Sequence, residues 1–149
     1  MRSISLLAAA LLMSAGVSMA AQDAAPSAAM ALPKAPPGAM VSILSPKDGA
    51  TVGQEVTVKF GVEGIALKPA GDATPNSGHH HLLIDAKELP PLSAPIPNDA
   101  THKHYGKAQT EDTIHLEPGT HTLQLDYGDT AHMQFDPPIV SKKITVTVK

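Results

Sequence analysis

Three consecutive histidines, His79, His80 and His81, open an apolar run in the segment NSGHHHLLID. Side chains in a β-strand alternate between its two faces, so His79 and His81 share one face and His80 points to the other. Imidazoles at positions i and i+2 have Cα atoms about 6.5 Å apart, and both rings can reach one ion with bonds of about 2.0–2.1 Å. The first and third histidines therefore form a candidate metal-binding pair.

The two faces of this strand differ in polarity. Leu82 and Ile84 share the face of His80, which predicts that this face packs into the core. His79 and His81 are then expected on the more solvent-exposed side. Metal binding requires neutral imidazole, so affinity is expected to fall as the pH drops through about 6.5, the ordinary histidine pKa.

Other histidines could complete a coordination set. His102 and His104 repeat the i, i+2 spacing in the sequence THKHY, interpreted as a loop, and His132 follows a later strand. Imidazole is a natural ligand of Cu(II) and Zn(II). The predicted copper or zinc ligands are His79, His81, His104 and His132. The alternative is that the His-x-His pair is a polar strand end or a buried hydrogen-bonding pair with a structural role.

The histidine at position 121 has a different context. In immunoglobulin-like sandwiches, a tyrosine near the start of the sixth strand hydrogen-bonds back across the preceding corner. The segment LEPGTHTLQLDYGD has the form of that corner, with His121 in the place of the tyrosine. We therefore expect His121 to act in the fold, and we interpret His115 as a surface or core side chain.

Short alternating runs separated by turn residues supply the elements that must position these side chains. The predicted strands span residues 40–44, 55–62, 79–85, 113–116, 121–127 and 141–148. Long Pro-rich stretches flank the histidine strand, and long loops in compact domains are commonly functional. The pattern predicts an all-β fold, an antiparallel immunoglobulin-like β-sandwich of about six or seven strands.

The N-terminal residues have the features of an export signal. A positive charge at Arg2 precedes an apolar stretch, and Ser18-Met19-Ala20 supplies small residues for cleavage. We predict a signal peptide over residues 1–20, a flexible Ala/Pro-rich leader over 21–39 and a β-sandwich domain over 40–149. The mature protein is expected to be periplasmic or secreted and not to span the membrane.

Composition excludes several classes of protein. The 149-residue chain has no Cys, so it can form neither a disulfide framework nor a thiolate metal site. It carries a formal net charge of −3 and contains no Trp, two Phe and two Tyr. Without a basic, aromatic surface, a nucleic-acid partner is not expected.

Several longer motifs resemble a known family. The segments GHHHLLID, HYGKAQTE, LEPGTHTLQL and DPPIVSKKITVTV are similar, in the same order, to a family of small exported bacterial proteins known only as a domain of unknown function. The resemblance runs from about Gly78 to the C-terminus, and it implies no established activity. Two positions depart from the family pattern: Ala108 stands where glycine is expected, and Phe135 stands near the place of a second histidine.

These features support three candidate functions. The first is a copper- or zinc-binding β-sandwich of the periplasm in metal storage, delivery or tolerance. The second is a non-catalytic structural or interaction module that binds a cell-envelope protein and uses its histidines as supports. The third is a copper enzyme, since GHHHLLID is similar to the His-x-His strand of copper-zinc superoxide dismutases. The paired cysteines of that family are missing, so the protein is not expected to be an enzyme.

Overall fold

Nine β-strands make up the regular structure of residues 31–149, the part of the chain that the computed structural model describes. The predicted signal peptide and the first part of the leader lie outside these residues. The strands are β1 (Met40–Ser45), β2 (Thr51–Val52), β3 (Glu55–Glu63), β4 (Ala66–Leu67), β5 (Ser77–Ile84), β6 (His102–His104), β7 (Glu111–His115), β8 (Gly119–Gly128) and β9 (Ile144–Val148).

The strands form two sheets that enclose one core. The smaller sheet has the order β1-β3-β7, and the larger has the order β2-β9-β8-β5-β4 with β6 also paired to β5. Neighbouring strands are antiparallel except in the pairs β2–β9 and β4–β5. The all-β sandwich predicted from the sequence is confirmed. Its strands number nine instead of six or seven, because β2, β4 and β6 have only two or three residues and are too short to show alternation.

Alternating apolar residues of both sheets fill the space between them. Val58 of β3 and Leu82, Leu125 and Tyr127 of the larger sheet are all fully buried. His80 lies among these residues, on the core face expected from Leu82. Its ring centroid is 5.3 Å from that of Phe60 and 5.2 Å from that of Tyr127. The middle histidine of the triplet is therefore a core residue that bridges the two sheets.

The end of the predicted leader lies against the domain. Lys34 forms a parallel bridge with Asp136, and the amide of Ala35 donates to the Asp136 carbonyl oxygen at 3.2 Å. The Asp136 amide in turn donates to the Pro33 carbonyl oxygen at 2.8 Å. Residues 33–36 are thus held by backbone hydrogen bonds before β1 begins at Met40. Within residues 31–149 no helix has the length and apolar character needed to cross a membrane.

The corner before β8 is closed by His121. Its Nε2 atom lies 2.8 Å from the Glu117 carbonyl oxygen, and its Nδ1 atom lies 2.7 Å from Asp85 Oδ2 at the end of β5. Asp85 Oδ1 also accepts the Thr122 amide at 2.9 Å. Because both ring nitrogens face acceptors, the hydrogen bond to Asp85, followed by that to Glu117, raises the pKa of His121. His121 thus hydrogen-bonds back across the corner before β8, as a tyrosine does in immunoglobulin-like sandwiches.

Replacing His121 with alanine should lower the free energy of unfolding by about 1–3 kcal/mol, because two hydrogen bonds to a charged ring are lost. The raised pKa sets the sign of the pH dependence. The stabilisation is complete below the unfolded pKa of about 6.5 and is lost as the pH rises through the folded value. Urea unfolding of the variant and the parent at pH 6 and pH 9 measures both effects. A His115→Ala control should change stability little, since His115 is exposed and pairs only with surface carboxylates.

Residue 108, where the resemblance leads us to expect glycine, adopts a left-handed backbone conformation. Ala108 has a φ of 57°. This region is favourable for glycine and costs other residues about 1–2 kcal/mol because of Cβ crowding. The expectation of glycine at this position therefore has a conformational reason, and alanine occupies the turn with some strain.

Candidate metal centre

Strand β5 supplies two imidazoles to the face that points away from the inter-sheet core. His79 and His81 are both 0% exposed, so the expectation that they would lie on a solvent-exposed side is wrong. The loops after β5 and β8 pack over this face. The Ile96 amide donates to the His132 carbonyl oxygen at 2.7 Å, and the Gln134 side chain donates to the Pro90 carbonyl oxygen at 2.7 Å. The loops after β5 and β8 therefore cover the side chains of His79 and His81.

The second His-x-His pair lies in a strand and not in a loop. Its residues form β6, which pairs antiparallel with β5 so that His104 stands directly opposite His81. Directly opposite residues of neighbouring strands project to the same side of a sheet. His104 therefore lies on the face that carries His79 and His81. A three-residue strand at a sheet edge is too short to be recognised from alternation, which explains the loop interpretation.

His132 reaches the same point from the turn that follows β8. The Asp129 carboxylate organises this turn, since Oδ1 accepts the amides of Ala131 at 2.8 Å and Met133 at 2.9 Å. The His132 amide also donates to the Asp129 carbonyl oxygen at 2.9 Å. His132 has a φ of 63°, a left-handed conformation that this turn maintains. Asp129 therefore holds the turn that carries His132, which explains why the two residues lie close together in the sequence.

The four predicted imidazoles converge on one location. His79, His81, His104 and His132 each offer a ring nitrogen, and these nitrogens all lie within 4.8 Å of one another. His104 Nε2 lies 3.1 Å from His79 Nε2 and 3.1 Å from His132 Nε2. Metal–nitrogen bonds of 2.0–2.1 Å require nitrogen separations of about 3.3–3.4 Å in a tetrahedron, or about 2.9 Å between neighbours in a square. The two separations of 3.1 Å lie between these values, whereas a separation of 4.8 Å exceeds both and would have to shorten when a metal binds.

Hydrogen bonding within the cluster cannot satisfy all of its nitrogens. One ring nitrogen carries either one proton or one lone pair, so His104 Nε2 has a single hydrogen-bonding group for two neighbours. Both ring nitrogens of His81 are buried and have no hydrogen-bond partner among the described residues. Several lone pairs therefore converge in a small buried volume, an arrangement that a cation would stabilise.

Burial keeps these rings in the neutral form that metals bind. Desolvation lowers the pKa of His79 to about 4 and that of His81 to about 2, and repulsion from neighbouring imidazoles adds to both effects. The pKa of His104 is also lowered, mainly by desolvation. Proton competition at His79 and His81 therefore begins at a lower pH than the value near 6.5 expected from the ordinary histidine pKa.

The other histidines lie outside the cluster. His102 shares the second His-x-His motif, but its Nδ1 atom lies 2.9 Å from Asp99 Oδ1 and 2.9 Å from Thr101 Oγ1. His115 pairs with Glu55 on the surface, with 2.6 Å between Nδ1 and Oε1. Sequence reasoning placed neither residue in the metal set, and the structure places neither one there.

Two glycines leave room for the imidazoles, and sequence reasoning did not identify either of them. A Cβ atom at Gly106 would lie 2.3 Å from Cε1 and 2.7 Å from Nε2 of His104. A Cβ atom at Gly128 would lie 2.8 Å from Cε1 of His81. Any side chain at these positions would displace a ring of the cluster. Gly106 follows His104 by two residues in HKHYG, so its spacing was visible in the sequence, but its function depends on the fold.

Replacing Gly106 with alanine should therefore weaken metal binding while the fold is retained. The added methyl group pushes the His104 ring, the movable end of a side chain, away from the other nitrogens. Changes that misplace a metal ligand from outside the coordination shell typically cost 10–100-fold in affinity, and we expect a loss of about this size. Calorimetric titration with Zn(II) measures the loss. Gly53→Ala is the matched control, since a Cβ there meets nothing within 4 Å, and equal losses in both variants would contradict the proposed positioning.

A buried carboxyl group also lies on the ligand-bearing face. Asp126 stands opposite His81 in the β5–β8 register and is 0% exposed. Neither of its carboxyl oxygens has a hydrogen-bond partner among the described residues, and burial raises its pKa to about 7. Sequence reasoning did not single out this residue, because alternation places it on the face of β8 opposite to Leu125 and Tyr127.

Comparison with known proteins identifies the family of this chain. Residues 58–149 match the family model described as "Domain of unknown function (DUF4399)". The chain belongs to the DUF4399 family. The match covers more than half of the chain and confirms the family suspected from the sequence motifs. No curated protein and no solved structure matches the chain.

The DUF4399 match spans the whole histidine cluster. Phe135, near the expected place of a second histidine, is 2% exposed and packs against Tyr127 at a centroid distance of 6.3 Å. It is a core residue and lies outside the cluster. His132 alone provides the imidazole from this loop.

Proposed function

We propose that this DUF4399 protein is exported to the periplasm and binds one Cu(II) or Zn(II) ion through His79, His81, His104 and His132, in metal storage, delivery or tolerance. One observation carries the proposal: four imidazole nitrogens from two strands and one turn lie within 4.8 Å of one another. Two of these rings are fully buried, where a polar group without a partner costs stability. Coordination of a cation would offset that cost.

The chemistry of the donors favours these two metals. All four are imidazoles, which suit Cu(II) and Zn(II) better than the oxygen-seeking ions Mg²⁺ and Ca²⁺. The absence of cysteine removes the thiolates that bind Cu(I) and structural zinc strongly. The export signal over residues 1–20 supports a compartment in which such a site meets metal from outside the cell.

The metal content of the protein purified without a histidine tag tests the binding proposal. We expect up to one equivalent of copper or zinc by mass spectrometry, and restoration of one equivalent after stripping with chelator and reloading. Protein that takes up no stoichiometric metal would instead favour the structural module that binds an envelope partner.

The intact mass of protein recovered from the periplasm tests export. Cleavage after Ala20, or one residue later, gives a chain that begins at Ala21 or Gln22. A recovered mass that still contains residues 1–20 would contradict the export proposal and leave the metal proposal unaffected.

A further inference from the structure

A pocket connects the histidine cluster with the surface. It has a volume of about 300 Å³ and is lined by His81, Pro95, Ile96, Asn98, His104 and His132. Three of the four proposed ligands therefore contribute to its wall. His104 and His132 are partly exposed, whereas His79 and His81 are fully buried. The cluster thus has a closed side on β5 and an accessible side formed by β6 and the turn after β8.

The size of the pocket limits what it can hold. A water molecule takes about 30 Å³ of the liquid, so the pocket can hold several small molecules. Pockets for drug-sized ligands start at about 300 Å³ and range to about 1,000 Å³, which places this one at the lower limit. The part of its wall beyond the histidines consists of the apolar side chains of Pro95 and Ile96 and the amide of Asn98. These dimensions fit a ligand of a few atoms better than a peptide or a large organic molecule.

Charge selects among small ligands. Four neutral imidazoles leave both positive charges of a bound Cu(II) or Zn(II) uncompensated. Asp126 is the one fully buried acidic residue among residues 31–149, and it could offset at most one of them. None of the residues that line the pocket is acidic, so an incoming anion meets no carboxylate there. The site therefore retains a charge of at least +1, which a bound monovalent anion would reduce.

We infer that the metal site keeps one coordination position directed into this pocket, where a small monovalent anion binds the metal between Ile96 and Asn98. This inference rests on the proposed function. Structural zinc sites are closed, whereas sites that react or exchange keep a position for water or another ligand. The pocket reaches three of the four proposed ligands, His81, His104 and His132, which makes this site one of the second kind. Anion exchange at this position provides a path by which the metal can be released or passed to another donor.

Azide binding to the Cu(II)-loaded, untagged protein tests the inference in chloride-free buffer. Azide is monovalent and small, and its binding to Cu(II) produces a charge-transfer band in the near ultraviolet. We expect a saturable band with one azide per copper. Asn98→Trp should fill the rim of the pocket and weaken azide binding by about tenfold, equivalent to about 1.4 kcal/mol. Ser93→Trp, exposed on the same loop and outside the pocket lining, is the matched control.

The outcomes separate this inference from the proposal on which it rests. Copper that binds one per chain without any azide band means a closed site, which overturns the inference and leaves the metal proposal standing. Protein that binds no copper overturns both. Azide that binds equally well to the Asn98→Trp and Ser93→Trp variants would mean that the anion reaches the metal from another side, and the pocket assignment would be wrong.

Discussion

Replacing His104 with alanine should lower the affinity of the untagged protein for Cu(II) or Zn(II) by more than about 100-fold. Changes to residues that only hold a metal ligand in place commonly cost 10–100-fold, and this variant loses a direct ligand. The Nε2 atom of His104 is the centre of the cluster, since it lies 3.1 Å from both His79 Nε2 and His132 Nε2. Because His104 is partly exposed at a sheet edge, its removal should leave the fold intact.

His102→Ala is the matched control for this experiment. It belongs to the same three-residue strand and the same His-x-His motif, but its ring is bound to Asp99 and Thr101. We expect it to bind metal with the affinity of the parent. His79→Ala and His81→Ala should both lose affinity as well, and circular dichroism would show whether these buried positions tolerate the cavity. If His104→Ala and His102→Ala bind metal equally well, the proposed site does not exist.

The sequence indicated which four histidines form the cluster, but it did not indicate how the fold brings them together. The i, i+2 spacing placed His79 and His81 on one face, and the count of remaining histidines suggested His104 and His132. Their convergence depends on the pairing of His81 with His104 across β5 and β6. Such pairing joins residues far apart in the chain, and no local pattern in the sequence encodes it.

Burial was the property that sequence reasoning assigned incorrectly. Alternation along β5 distinguishes its two faces, and it correctly placed His80 in the core. It cannot reveal that long loops cover the other face, because irregular segments have no periodicity. The burial of His79, His81 and the Asp126 carboxyl follows from those loops, whereas the contact of Gly128 with the His81 ring follows from the pairing of β5 with β8. The long strands could therefore be predicted, whereas the enclosure of the site could not.

The metal-free protein should lose stability steeply as the pH falls from about 6.5 towards 4. Burial lowers the pKa of His79 and His80 to about 4 and that of His81 to about 2. In the unfolded chain the same rings gain a proton near pH 6.5. Over this window the unfolded state binds more protons, so the free energy of unfolding falls by up to about 1.4 kcal/mol per pH unit for each buried imidazole.

One carboxyl group acts in the opposite direction. Burial raises the pKa of Asp126 to about 7, so the folded state holds a proton that the unfolded chain releases above about 3.9. This residue therefore stabilises the fold as the pH falls, but it accounts for one proton against three imidazoles. The raised pKa of His121 matters above pH 6.5 and adds little below it. The histidine triplet should dominate, and its effect is large beside a typical total stability of about 5–15 kcal/mol.

A His80→Phe variant isolates one of these protons without touching a proposed ligand. Phenylalanine can occupy the space between Phe60 and Tyr127, and whatever its packing costs, that offset is independent of pH. We therefore expect the slope of unfolding free energy against pH, measured by urea unfolding from pH 7 to pH 4.5, to decrease by up to about 1.4 kcal/mol per unit relative to the parent. The exposed His115→Gln substitution should leave the slope unchanged below about pH 6, because the pKa of His115 is raised and both states are protonated there. Bound Zn(II) should raise the stability of the parent by its binding free energy, and this gain should shrink as the pH falls because protons compete with the metal for the imidazoles. If the metal-free parent keeps constant stability down to pH 4.5, or if His80→Phe retains the full slope, His80 is not the buried neutral imidazole described here.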